Sequence, residues 1–170
     1  MTRCHSRLSA TVFLTVCCLL LSACGFHLRG SADIAEPLRQ LTLVTPERSR
    51  SQLAPVLRRL LEANGVSVNH GATGYLLQIT SEKRERSEAT LGADADIDEY
   101  ELSTTVSFLI KDPQGEIVLE HSLQIERIYD YDADEETASN AQEAQLYLEM
   151  DQHLANQILR FYTNVKPATP

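Results

Sequence analysis

Between residues 100 and 110 the side chains alternate in character at every step. Leu102, Thr104, Val106, Phe108 and Ile110 fall on one side, and Glu101, Ser103, Thr105, Ser107 and Leu109 on the other. A period of two fits a strand with one buried and one wetted face. Asp112-Pro113-Gln114-Gly115 follows, with Pro and Gly where a tight turn takes them. The next run carries Ile117, Leu119, Leu123 and Ile125 in the inner phase, which predicts an antiparallel hairpin. A strand with one apolar face has to bury it against a second layer, so the rest of the chain must supply that layer.

Two segments can do so. After a strand predicted over residues 40–45 and stopped by Pro46, Ser51 is placed to cap a helix that tolerates Pro55 in its first turn. Leu53, Leu57, Leu60, Leu61 and Asn64 share one stripe, Arg58, Arg59 and Glu62 lie outside it, and Gly65 is placed to end the helix. A second helix is predicted over residues 137–162, its apolar side formed by Ala144, Tyr147, Leu148, Leu154, Ala155, Ile158, Phe161 and Tyr162. Between them, residues 75–80 begin a strand that can run through the charged segment 82–86 toward Leu91. The order is β-α-β-β-β-α, and the expected fold is an α+β two-layer sandwich, a roughly four-stranded sheet with both helices on one face. The other face, with Ser103, Thr105 and Ser107, is then left polar.

The N-terminus carries a different message. Arg3 and Arg7 precede a short apolar stretch over residues 8–21, which ends in Leu21-Ser22-Ala23-Cys24. A basic start, an apolar run and small residues before a cleavage point make a secretory leader. The run is shorter than the roughly 20 residues that span a bilayer as a helix. The last four residues resemble the bacterial lipobox, in which the Cys is lipidated and becomes the mature N-terminus, so Cys24 is the predicted lipidation site. The expected organisation is a leader over residues 1–23, a single domain over 24–163 and a loose tail over 164–170, with Pro167 and Pro170 in the tail. Cys4, Cys17 and Cys18 leave with the leader, so the mature chain is expected to have no disulfide and no thiolate metal site. Gly25 stands where an Asp commonly marks inner-membrane retention in lipoproteins of Gram-negative bacteria, which points to the outer membrane.

Loss of Arg3 and Arg7 takes the net charge from −9 to −11. So acidic a chain is a poor partner for nucleic acid or for an anionic membrane surface, and the anchor has to be lipid, of which two or more acyl chains hold firmly. Asp94-Ala95-Asp96-Ile97-Asp98 has the opening spacing of a calcium loop but carries Glu99 at the sixth position and Thr105 at the twelfth; the run from Asp130 to Asp134 fails likewise. No metal or cofactor is expected. His27, His70, His121 and His153 are scattered, with no nucleophile motif near any of them; His121, in the inner phase of its strand, is expected to be a hydrogen-bonded core residue. No catalytic constellation is present, and the chain is expected not to be an enzyme. Lys83, Arg84 and Arg86 form the densest basic cluster. They can meet phosphates or a partner's acidic loop, or they can guard an exposed strand edge.

Cys24-Gly25-Phe26-His27-Leu28-Arg29 resembles the start of mature lipoproteins of the LptE family of lipopolysaccharide assembly. Weaker likenesses are Asn64-Gly65-Val66 at the end of the first helix, Glu99-Tyr100 before the central strand, and Arg127 ahead of Tyr129-Asp130; the order of elements follows across residues 24–162. The resemblance implies a non-enzymatic outer-membrane lipoprotein on the periplasmic side. It would form a heterodimer with an LptD-like β-barrel as plug and assembly factor, and assist lipopolysaccharide transport to the outer leaflet. A rigid domain with a largely polar exterior suits a polar barrel lumen. Direct lipopolysaccharide binding in the family implies basic residues near the start of the central strand and of the last helix. This chain has Ala93, Asp94 and Asp96 at the first place and Thr137, Ser139 and Asn140 around the second, which leaves Lys83, Arg84 and Arg86 as its candidate phosphate contacts. The acidic loops 94–101 and 130–136 are either contacts for basic barrel loops or solvated. The reading from a different class is a lipid-tethered periplasmic binding module for a small ligand or cell-wall component.

Overall fold

The computed structural model describes residues 34–46, 51–69, 71, 74–91 and 97–166. The leader, Cys24, the short strand suggested by residues 26–29, Asp94, Asp96 and the end of the tail lie outside the described residues. A 3-10 turn at Glu36–Arg39 leads into β1 (Gln40–Val44), α1 (Leu53–Ala63), β2 (Ser67–Val68), β3 (Tyr75–Leu91), β4 (Ile97–Lys111), β5 (Ile117–Asp130) and α2 (Glu136–Thr163). The strands form one sheet in the order β2-β1-β3-β4-β5. β1 is parallel to both β2 and β3, and β3, β4 and β5 run antiparallel in turn.

The α+β two-layer architecture is as expected, with one more strand. β2 has two residues, too short for any alternation to show in the sequence. Its pairing, Gln40↔Ser67 and Leu41↔Val68, arises because α1 carries the chain back beside β1. Gly74 sits where β3 comes up against β1; a Cβ there would collide with the Gln40 carbonyl, so this close approach requires glycine. The segment 97–101, expected as part of an acidic loop, is already strand: β4 begins at Ile97 and pairs Glu99 with Asp130.

α1 begins and ends as its sequence signals. The Ala54 amide donates to Ser51 Oγ at 2.9 Å. At the other end Gly65 has φ +85°, Val66 N donates to the Leu61 carbonyl and Gly65 N to the Glu62 carbonyl, both at 3.0 Å. This paired closure requires the left-handed backbone that glycine adopts freely, and Asn64 serves as the cap residue of this end and not as part of the apolar stripe. Leu53, Leu57 and Leu61 are buried against the sheet, each contributing about 1.5–3 kcal/mol relative to exposure.

The core is concentrated where α1 and the C-terminal half of α2 lie over Leu41, Leu43, Leu77, Ile79, Phe108 and Ile110. Tyr162 closes it, its hydroxyl donating to the Leu38 carbonyl at 2.6 Å; burial holds this phenol well above the ordinary tyrosine range. Of the buried residues of α2, Ser139 alone precedes Met150. Ala144 and Leu148, expected on the apolar side, are exposed, because the first half of α2 lies over the charged half of the sheet, where no apolar floor meets them. β5 departs similarly. Leu123, Ile125 and Tyr129 are buried, but Ile117 and His121 are exposed. Among the described residues β5 is the terminal strand and the helical layer covers it only in part, so His121 rests on the Phe161 ring at 4.5 Å and is not a core residue.

Candidate functional site

Alternation along β3 divides the basic cluster between the two faces of the sheet. Lys83 and Glu85 point to the open face, where Lys83 Nζ meets Glu85 Oε1 at 2.7 Å and both are exposed. Glu82, Arg84 and Arg86 point toward the helices. β1 pairs only with the stretch from Tyr75 to Gln78, so the remainder of β3 has an edge that no described strand covers. The charged run sits on that edge, where charge discourages pairing with another chain.

Under α2 the two arginines are engaged by helix carboxylates. Arg84 Nη2 donates to both Asp151 oxygens, at 2.7 and 2.8 Å, and lies 3.5 Å from Glu82 Oε1. Its guanidinium is 5.0 Å from the centre of the Tyr147 ring. Arg86 Nη1 donates to Glu143 Oε2 at 2.8 Å and lies 4.4 Å over the Tyr100 ring. The Tyr129 hydroxyl donates to the same Glu143 oxygen at 2.7 Å. Tyr100 stacks on Tyr129 at 6.0 Å and meets Tyr131 edge-on at 5.1 Å.

The electrostatics follow from burial. Asp151 is almost fully buried, and desolvation raises its carboxyl above the ordinary range against the opposing pull of Arg84. Burial, then the hydrogen bond to Glu143, pushes the Tyr129 phenol up to about 12. The bond to Glu143 likewise raises Arg86. Glu82 ties the cluster to α1: Ser51 Oγ donates to Glu82 Oε2 at 2.6 Å and the Gln52 amide to Oε1 at 3.1 Å. A carboxylate at a helix N-terminus is favoured by the unpaired amides and the helix dipole.

Asp151, Glu143 and the tyrosines Tyr100, Tyr129, Tyr131 and Tyr147 are the surroundings of these arginines that sequence reasoning missed. The signal was present for Asp151, which stands four residues after Tyr147 and three before Leu154, on the apolar side of the helix, where a carboxylate needs a cation. Chemically the arrangement is a polar clasp between α2 and the sheet: Arg84 is committed to both oxygens of the buried Asp151, Arg86 gives one nitrogen to Glu143 and stays partly exposed, and Lys83 is restrained by one exposed carboxylate. Among the described residues no His, Cys, Asp and Glu converge in the manner of a metal site.

The open face is hydroxyl-rich. Ser107 and Ser122 share a hydrogen bond at 3.1 Å, and Gln124 Nε2 donates to Glu126 Oε1 at 2.7 Å. Near the far end Thr90 donates to Glu99. At the start of α2, Ser139 is buried because its hydroxyl donates to the Asp132 carbonyl and accepts from the Asp132 amide, so the stretch after Asp130 is an ordered turn. No described helix is long and apolar enough to cross a membrane.

Solved bacterial lipoproteins share this fold. The rare lipoprotein B of Shewanella oneidensis matches with a TM-score of 0.63 and 27% identity, covering 71% of this chain and 91% of that one. A minor lipoprotein of Acinetobacter baumannii matches with a TM-score of 0.63 and 30% identity, covering 78% and 98%. In sequence, the LPS-assembly lipoprotein LptE of Photorhabdus laumondii is 24% identical over 152 residues, 88% of this chain and 82% of that protein. Residues 38–161 match the family described as LptE, lipopolysaccharide-assembly. The chain belongs to the LptE family of lipopolysaccharide-assembly lipoproteins.

Proposed function

We propose that this chain is an outer-membrane lipoprotein that plugs an LptD-like β-barrel, helps it assemble, and assists the passage of lipopolysaccharide into the outer leaflet without catalysing a reaction. Residues 1–23 are its leader, lipid on Cys24 its anchor on the periplasmic side, and residues 24–163 the single working domain, with 164–170 as tail. The observation that carries this reading is the family match across residues 38–161. The polar open face supports it, since a domain seated in a polar lumen needs an exterior that water or polar walls can satisfy. Tethering confines the search for the barrel to the membrane surface and raises effective concentration.

Lys83, Arg84 and Arg86 are the proposed phosphate contacts for lipopolysaccharide, and they are unequal. Lys83 engages by giving up one exposed ion pair and Arg86 through the exposed part of its guanidinium, whereas Arg84 engages by exchange with Asp151. Affinity purification of the tagged full-length chain in mild detergent tests the partner: a stoichiometric large β-barrel is expected. A lone monomer instead would support the tethered binding module.

A further inference from the structure

Among the described residues the sheet leaves two long edges uncovered, along β3 and along β5, and they differ in character. Past Gln78, β3 is protected by Glu82, Lys83, Arg84, Glu85, Arg86 and Glu88 and by a register shift between Ile79 and Ser81. β5 is less guarded: between Leu119 and Ile128 its charges on the open face are two glutamates, Glu120 and Glu126, and its one register shift lies at its very start, between the pairs Lys111–Ile117 and Ile110–Leu119. Among the described residues it is the terminal strand, and it pairs with β4 in unbroken register from Leu119 to Asp130. It contains no lysine, proline or glycine. Of the four large hydrophobic residues that stand exposed among those described, three lie on it: Ile117 at 54%, Val118 at 42% and Ile128 at 59%. A long, regular edge with apolar ends is one that proteins normally blunt or cover.

Between Leu119 and Ile128, within the unbroken register, the open-face side of β5 reads Glu120, Ser122, Gln124, Glu126, Ile128, and the exposed Val118 precedes it at the register shift. A strand added at this edge sets its own alternate side chains about 5 Å from these. From Glu120 to Glu126 the pattern is a palindrome of acidic, polar, polar and acidic, with an exposed apolar residue beyond each end. A second copy of β5 laid antiparallel so that the apolar ends meet would therefore place Glu120 against Glu126 twice, and like charges directly opposite are destabilising. The complementary strand is apolar, basic, polar, polar, basic and apolar at every second position. We infer that β5 is a strand-addition site for an extended basic segment of a partner polypeptide carrying that pattern. Main-chain hydrogen bonds supply the affinity, and Glu120 and Glu126 select the cations. This rests on the partner reading above and commits one contact of the partner to this edge.

The test is hydrogen exchange of the full-length chain in detergent micelles, with and without an eleven-residue peptide bearing Val at both ends, Lys at the third and ninth positions and Thr elsewhere. Slower exchange is expected across residues 119–128 and not along β3, with no effect from the Glu-for-Lys peptide. The exposed double substitution Glu120→Lys with Glu126→Lys, its fold checked by circular dichroism, should exchange the preference between the two peptides. Equal protection by both peptides, protection by neither, or protection of β5 that grows with protein concentration alone would overturn the inference. The co-purified complex provides an independent arm: β5 amides that exchange as freely there as in the isolated chain would sink strand addition while leaving the barrel partner in place. Failure to isolate any complex would instead remove the barrel reading, and the peptide experiment would still decide the edge.

Discussion

The two ends of this domain hold α2 to the same sheet by different means. At one end Leu154, Ile158 and Tyr162 sink among Leu41, Leu77, Phe108 and the leucines of α1. At the other, α2 rests on Arg84, Arg86 and Tyr129 through Asp151 and Glu143. Apolar contacts are non-directional and shared among many neighbours, so no single loss frees the helix. The polar clasp depends on a few atoms that water can also satisfy. Its end of the molecule is therefore the one expected to open first in local fluctuations, with the proposed phosphate contacts Arg84 and Arg86 inside it.

That difference can be broken. Leu57→Ala at the apolar end should cost about 2–5 kcal/mol, read from the urea midpoint; a cost no larger than that of the clasp substitutions would erase the distinction. Asp151→Ala strands the Arg84 guanidinium beneath α2 and should cost about 2–3 kcal/mol. Hydrogen exchange should then accelerate over residues 136–150 while residues 154–163 stay protected. Uniform acceleration would mean that the two ends unfold as one unit.

The pH response sharpens the same point. Burial raises the Asp151 carboxyl in the folded state, so between the unfolded and folded values the native protein holds the proton more often than the unfolded chain does. Stability attributable to this group therefore falls as pH rises through that window. Asp151→Asn does not titrate, and its melting temperature minus that of the wild type should be larger at neutral pH than near pH ~4. A difference that does not change with pH would contradict the assigned burial. The smallest effect is expected from Tyr129→Phe, which removes the hydroxyl bond to Glu143 at a cost of about 1 kcal/mol; loss of several times that would show the aromatic cluster to be a second core.

Much of this was legible in one dimension. The alternation from Leu102 to Ile110, the turn at Asp112, the cap at Ser51 and the stop at Gly65 each depend on neighbours in sequence, and each is found in the fold. Leu148, Ile117 and His121 were misplaced for a common reason: periodicity says which residues share a face but not how far the opposing layer extends over it. The division of Lys83 from Arg84 and Arg86 followed from the period of two. The carboxylates that hold the arginines, 57 and 67 residues further along, did not.

By itself the sequence determined most of the elements and their faces, because hydrogen bonding and apolar periodicity within a helix or hairpin act over a few residues. Only the tertiary structure decided that β5 is the last described strand of the sheet, that β2 joins it, and that Arg84 and Arg86 of β3 are held by α2. Those outcomes depend on which distant segments come within a few ångströms of one another. Burial then fixes the energetic meaning of each charge, as Asp151 shows, since the same carboxylate in water would need no partner.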